Sequence, residues 1–488
     1  MTTTGKLTVI STSRPATLGK DFRLTAEGLE KKTAGQMVEG SFQVLEFSNA
    51  ESLAQILAGV GNDQAIMASL PADGRPAGKI VTKAEKVNYP GALSRTKDDF
   101  HFPASLPGVC ILDYDPPAGE TPLTRDQLWA LLLASVPGLE SAGVIWWCSG
   151  SSFIYQGEAE IQGLRGQRLY ILVQDLADTE RFSEILFKRL WLAGHGRIDI
   201  STSGSLLMRS IFDQAMAQVA RLDFIGGAVC MPPLEQRRGL PVILSKGGGL
   251  DTRAALPDLT APEQAAYEDL VEAAKLKAAP EAEVVKSKWQ AERLPGMVGR
   301  LVKSGVATDQ AQDRAERTLS SALRGTLLGD MSITLDGGKT VTVGEILDDR
   351  AKYHGLLTRD ALEPEYQGGK TCGKLYLFGS SPVLTSRAHG GQTFRLLRQP
   401  ARLYVQKGNK AQLADQIIEK LNLEPDMYQY GGVLVRVENG TVRYLRKHAL
   451  MHAIQTRIAF FTTDGKGKDI PADLPSDVAD MVLAVLEI

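Results

Sequence analysis

Short apolar runs of strand length, set off by polar turns, mark the first half of the chain. Val109–Leu112, Val144–Cys148 and Leu169–Val173 have no alternating polar face, which predicts strands buried on both sides. The periodicity then changes. Phe182, Ile185, Leu186 and Leu190 recur at helical spacing, with Asp178 or Thr179 at the capping position and Gly194 after the last turn, so a helix is expected from Thr179 to about Ala193. Further strands are expected at Arg197–Ile200, Leu206–Phe212 and Leu222–Ile225. Residues 1–245 therefore read as one mixed unit of strands and helices.

The second half has a different texture. Ser245-Lys-Gly-Gly-Gly-Leu250 has the composition of a linker. A polar stretch rich in Ala, Glu and Lys follows over 261–325, and Pro280 and Pro295 are expected to interrupt its helix. Residues 246–325 are thus read as linker and helical segment. Residues 326–400 look β-rich. Ser332–Leu335 and Thr340–Val343 flank Asp336-Gly-Gly-Lys339, a hairpin signal. Leu375–Phe378 and Val383–Ala388 add strands, and His389-Gly-Gly391 reads as a turn. Residues 401–488 combine a helix near Lys410–Leu421, a hairpin around Glu438-Asn-Gly440, a helix near Arg446–Thr456 and a terminal helix after Pro475, a winged-helix-like pattern. The fold class expected is α+β.

Composition narrows the function. The chain has 488 residues, 43% of them hydrophobic, which is enough for several domains with cores of their own. Lys plus Arg total 55 and Asp plus Glu total 57. That balance argues against a protein that coats nucleic acid through bulk charge, and leaves room for a local basic cleft. Residues 395–460 hold 11 Lys or Arg against 5 Asp or Glu, with Tyr404, Tyr428, Tyr430 and Tyr444 interspersed, a candidate surface for phosphate contacts and base stacking. Cys110, Cys148, Cys230 and Cys372 form no Cys-x-x-Cys pair, so neither a disulfide framework nor a zinc ribbon is expected. No apolar stretch approaches 18 residues, and the first residues lack a signal core, so a cytoplasmic protein with no membrane partner is expected.

The chemistry concentrates where the first buried strand ends. In Val109-Cys-Ile-Leu-Asp-Tyr-Asp-Pro116, side-chain alternation puts Asp113 and Asp115 on one face, roughly 7 Å apart along the backbone. Two carboxylates so placed repel unless a cation lies between them, and Mg²⁺ or Mn²⁺ suits such oxygen ligands. Solvated aspartates at a surface turn are the plainer explanation of the triplet by itself. Asp213, which follows the apolar run Leu206–Phe212, is the candidate third carboxylate, with Asp223 as its competitor. Arg168, Arg209, Arg221 and Lys97 stand near these strand ends in sequence, as a cleft for a nucleoside triphosphate requires. His389 reads as a hairpin tip, His195 as a helix C-terminal cation, and His448 with His452 as a weak zinc spacing.

Taken together, Asp113-Tyr-Asp115, a basic strand Gly166-Gln-Arg-Leu-Tyr170 and Phe212-Asp213 with Arg221 beyond it resemble the archaeo-eukaryotic primase superfamily, in its primase-polymerase branch from phages and mobile genetic elements. Leu384-Thr-Ser-Arg-Ala-His-Gly-Gly391 is similar to a short segment of mobile-element primase-helicases. The resemblance implies an RRM-like catalytic domain, DNA-directed nucleotidyl transfer on a single-stranded DNA template with NTP or dNTP, and replication as the setting. It implies catalytic and metal roles for Asp113, Asp115 and Asp213, and nucleotide contacts from Arg168, Arg221, Lys97, Arg209 and Ser151. Arg168 stands where the family has a histidine, and Ser149-Gly-Ser-Ser152 is an alternative for the serine part of that motif. No Gly-x-x-x-x-Gly-Lys-[Ser/Thr] loop is present, since Gly338-Lys-Thr340 and Gly369-Lys-Thr371 lack the first glycine, so a replicative helicase is expected either as a separate partner or as a domain beyond the end of this sequence. The alternative is a non-catalytic replication-initiation protein that binds DNA through a decayed primase fold.

Overall fold

In the computed structural model the three apolar runs become the centre of one antiparallel sheet. Its strand order is Gly108–Tyr114, Gln167–Val173, Gly143–Cys148, Val242–Lys246. The first three strands are buried almost throughout, which is why they carry no polar alternation. The structure describes residues 4–34, 37–83, 85–117, 119–378, 381–398, 401–406, 408–421, 427–430, 433–438, 441–455, 458–463 and 469–486. Over these the protein is α+β, with several small sheets and 12 helices.

The chain divides into two compact units, residues 1–199 with 207–278, and 200–206 with 279–488. In the first unit a five-stranded sheet runs in the order Gln64–Met67, Gly5–Arg14, Glu39–Phe47, Ala77–Val81, Leu93–Ser94. Its strand Gly5–Arg14 shares a core with the central sheet through Leu7 and Val9, which pack with Leu53, Leu57, Val109 and Ile145. The expected helix forms as Thr179–Leu192. Phe182, Ile185, Leu186 and Leu190 are all buried, and Gly194 takes the left-handed conformation (φ +84°) that ends it. Asp178 does not cap this helix with its side chain. Its carboxylate holds Arg181 at 2.7 Å and Thr252 at 2.6 Å instead.

Three expectations for this unit change. The strand at 206–212 stops at Arg209, because the chain must turn to place Asp213 beside Asp113. Leu222–Ile225 forms no strand. Asp223 makes a single antiparallel bridge to Ile66, which pins the segment to a sheet edge. The glycines at 247–249 are not a linker. Val242–Lys246 is a strand, and Gly248 and Leu250 bridge to Ala142 and Val173. A β-carbon at Gly247 would collide with the carbonyl of Ser141, so glycine is there for backbone approach rather than flexibility.

In the second unit the helix Ala261–Lys303, which begins in the first, runs on through Pro280 and Pro295 without ending. A proline inside a helix costs about 3 kcal/mol or more. The burial of Ala282, Trp289, Met297 and Leu301 offsets that locally. The expected hairpin forms between Ser332–Thr334 and Thr340–Thr342. A five-stranded sheet follows, in the order Thr326–Leu328, Gln392–Leu397, Val383–Ser386, Gly373–Tyr376, Leu357–Thr358. Beyond residue 400, helices Lys410–Leu421, Lys447–Gln455 and Ser476–Leu486 stand with two three-stranded sheets. Val433–Glu438 and Thr441–Tyr444 pair as the expected hairpin, whose Asn439-Gly440 turn lies outside the described residues. Among the described residues no helix is long and apolar enough to cross a membrane.

Candidate functional site

The register of the central sheet sets the site. Asp113 lies directly opposite Arg168, and Arg168 directly opposite Trp147. Cross-strand partners share a face, so this face carries a row from carboxylate to guanidinium to indole. Two residues along the middle strand, Tyr170 joins the same face. Its hydroxyl donates to Asp223 Oδ2 at 2.6 Å.

Arg168 is the hub. Its Nη1 donates to Asp113 Oδ1 and its Nε to Asp223 Oδ1 at 3.0 Å, and its side chain is only 13% exposed. Desolvation opposes its charge, but Asp113 and Asp223 outweigh it and raise the guanidinium's affinity for its proton. Asp223, fully buried, is committed to Arg168 and Tyr170. Asp113 is different. Burial pushes its carboxyl up to about 7 against the pull of Arg168, and Asp115, Asp223 and Asp213 add to the rise. The local surplus of carboxylates over cations falls on this one group.

Asp115 stands one residue past the strand end and is exposed. Its carboxyl and the Ser149 hydroxyl both face Gly166. A β-carbon there would strike Asp115 Oδ1 and come within 3.0 Å of Ser149 Oγ. Ser149 Oγ lies 3.0 Å from Ser151 Oγ, which accepts from Lys20 Nζ at 2.9 Å. Lys20 is delivered by the strand Gly19–Thr25, which pairs in parallel with Ala228–Cys230. Hydrogen bonds therefore link Lys20 to Ser151 and Ser151 to Ser149, and Ser149 and Asp115 both border Gly166.

Asp213 is brought in through its backbone, its N–H donating to the Asp113 carbonyl at 2.9 Å. Its Oδ1 accepts from the Ala215 N–H at 3.0 Å, and Arg221 lies 3.5 Å from its Oδ2. Asp113, Asp115, Asp213, Arg168, Arg221 and Ser151 are thus gathered in one region. The other two sequence candidates make their ion pairs with different residues, Lys97 with Glu180 at 3.6 Å and Arg209 with Asp199 at 3.9 Å. His389 Nε2 donates to Glu363 Oε2 at 2.8 Å in the second unit. Tyr430 and Tyr444 are exposed, and the side chain of Tyr428 lies outside the described residues.

The donor chemistry suits a hard divalent cation, since Asp113, Asp115 and Asp213 offer carboxylate oxygen alone and in surplus. They do not form a ready-made shell. Among the described residues no group of three or more His, Cys, Asp or Glu side chains is drawn together to hold a metal ion. The fit lies in the type and number of donors.

Sequence reasoning missed Lys20 and Arg238, gave Gly166 no role beyond its strand, and reached Ser149 only as part of the serine segment 149–152. Arg238 lies over the Trp147 ring at 3.8 Å, next to the Asp113–Arg168–Trp147 row. Lys20 precedes the acidic strand by some 90 residues and no local pattern marks it. Arg238 follows Arg237 and reads as surface. Comparison with protein-family models, with curated protein sequences and with solved structures finds no match to this chain.

Proposed function

We propose that this chain is a DNA primase-polymerase that joins nucleotides on a single-stranded template by metal-dependent nucleotidyl transfer. The observation that carries the reading is the meeting, at one strand end, of Asp113, Asp115 and the backbone of Asp213 with a hydroxyl-and-cation corner formed by Ser149, Ser151 and Lys20. Acidic donors beside phosphate-type donors are what transfer of a nucleotide between oxygens needs.

Asp113, Asp115 and Asp213 would hold Mg²⁺ or Mn²⁺, which when bound stabilises the attacking and leaving oxygens. The chain's own residues do the rest. Arg168 keeps Asp113 aimed and neutralises part of the buried acidic charge. Gly166 leaves space in front of Asp115. Arg221, 45% exposed and near Asp213, is open to a phosphate as well as to its carboxylate. The finer architecture belongs to the same reading: an RRM-like catalytic domain in the first unit and a winged-helix-like end to the second, with Tyr430 and Tyr444 as a stacking surface for template. A separate helicase and a phage or mobile-element setting complete it.

The test is incorporation of labelled dNTP or NTP by the purified chain on primed and unprimed single-stranded DNA with Mg²⁺ or Mn²⁺. Product that needs the metal supports the reading, and its absence under all four combinations of nucleotide and template removes it. A second reading, a non-catalytic DNA-binding initiation protein on the same fold, draws on one observation. Arg168, in the family's histidine position, has its guanidinium engaged by two aspartates. On that reading DNA binding persists when Asp115 is replaced and no nucleotide is incorporated.

A further inference from the structure

Two cations near the acidic strand end make no direct ion pair among the described residues. Among the described residues neither Lys20 nor Arg238 has a carboxylate within ion-pair distance, whereas the neighbouring Arg168 and Arg221 each have one. Arg238 Nη1 is shielded from solvent and has no hydrogen-bond partner among the described residues. Burial lowers the proton affinity of both groups, for Lys20 in spite of Asp115 and Asp113. A partly desolvated cation with no anion beside it is costly, and a bound anion removes the cost.

The surroundings are built for an oxyanion. Lys20 Nζ and the Ser149 and Ser151 hydroxyls are all hydrogen-bond donors, linked at 2.9 and 3.0 Å. Two glycines approach each other beside them. A β-carbon at Gly150 would lie 3.4 Å from the Gly227 carbonyl carbon, and one at Gly227 would lie 3.4 Å from Arg238 Nη2. Arg238, laid on Trp147, and Lys20, at Ser151, both border this contact between Gly150 and Gly227.

We propose that Lys20, Arg238, Ser149 and Ser151 form a site for a phosphate-type oxyanion, and that it holds the polyphosphate tail of the incoming nucleotide next to Asp115. The second clause rests on the proposed nucleotidyl transfer; the first does not. A nucleic-acid backbone phosphate shares the same chemistry, so the test has an arm for each source.

Inorganic tripolyphosphate, titrated into the full chain in EDTA by calorimetry, reads the site without metal or chemistry. Binding should weaken at least tenfold in Lys20→Gln and in Ser151→Ala, recover in part in Lys20→Arg, and stay unchanged in Arg23→Gln, an exposed cation of the same strand paired with Glu30. Melting curves identify a variant that fails to fold, and Ser151→Ala then carries the test. Absent binding to wild-type protein, or equal binding by Lys20→Gln and Ser151→Ala, overturns the site. Tripolyphosphate that displaces a fluorescent nucleotide but not a single-stranded oligonucleotide supports the tail. Displacement of the oligonucleotide alone overturns that assignment. A chain that binds tripolyphosphate through Lys20 yet incorporates no nucleotide would sink the proposed function and leave the site standing.

Discussion

Asp113 and Asp115 occupy opposite environments two residues apart, and this separates their contributions. Asp113 is buried against Arg168, whereas Asp115 is exposed before Gly166. Removing Arg168 leaves Asp113 and Asp223 without their shared cation. Arg168→Gln should therefore destabilise the fold by about 3–5 kcal/mol, the usual cost of breaking a buried pair, measured by urea unfolding. Gly166→Ala acts on the site instead. Its new methyl group displaces the Asp115 carboxyl and crowds Ser149, so incorporation should fall by up to about a hundredfold with little change in unfolding. The Asp-x-Asp pair was legible because strand alternation and the preceding apolar run are local signals. Lys20 and Arg238 were not, because parallel pairing of residues 19–25 with 228–230 and the stacking on Trp147 join segments far apart in sequence. Asp223 was visible only as a competitor to Asp213. Its burial under Tyr170 and Arg168 depends on the bridge to Ile66, which no spacing rule foretells.

Elements were legible where one local force dominates. The strands 108–114, 143–148 and 167–173 and the helix 179–192 follow from apolar runs and periodicity. Glycine and proline were misleading because their local meaning was overruled by packing. Gly247 permits a close backbone contact with Ser141, and the 261–303 helix tolerates two prolines while burying one face. Trp289 is the largest fully buried side chain of that helix, and its Nε1 donates to the Leu362 carbonyl at 2.9 Å. Trp289→Ala should cost about 3–5 kcal/mol, through the cavity it leaves. The measurement is the unfolding transition that reports on the second unit.

At the scale of the whole molecule, the second unit takes residues 200–206 from the middle of the first unit's sequence. Glu363 grips that segment: its Oε1 accepts from the Ser203 N–H at 2.9 Å and its Oε2 meets His389 at 2.8 Å. Burial alone would raise the Glu363 carboxyl. Hydrogen bonds from His389 and from Ser201–Ser203 outweigh it and bring the carboxyl down to about 2, below its ordinary 4.5. A carboxyl depressed in the folded state stabilises fully above its unfolded value and loses that contribution as pH falls through the folded one. The wild-type melting temperature should therefore fall between pH 4.5 and about 2, and Glu363→Gln should flatten that part of the profile while lowering stability at pH 7.

The central claim is that Asp115 serves chemistry and not the fold. The most direct test is metal-dependent nucleotide incorporation on single-stranded DNA by wild type and Asp115→Asn, with melting temperatures measured alongside. The account predicts incorporation by wild type, a loss of at least about a hundredfold in the variant, equivalent to roughly 2.7 kcal/mol of barrier, and melting temperatures within about 2 °C of each other, as expected for an exposed side chain. Equal incorporation by the two proteins, or none by wild type with either metal, would contradict it.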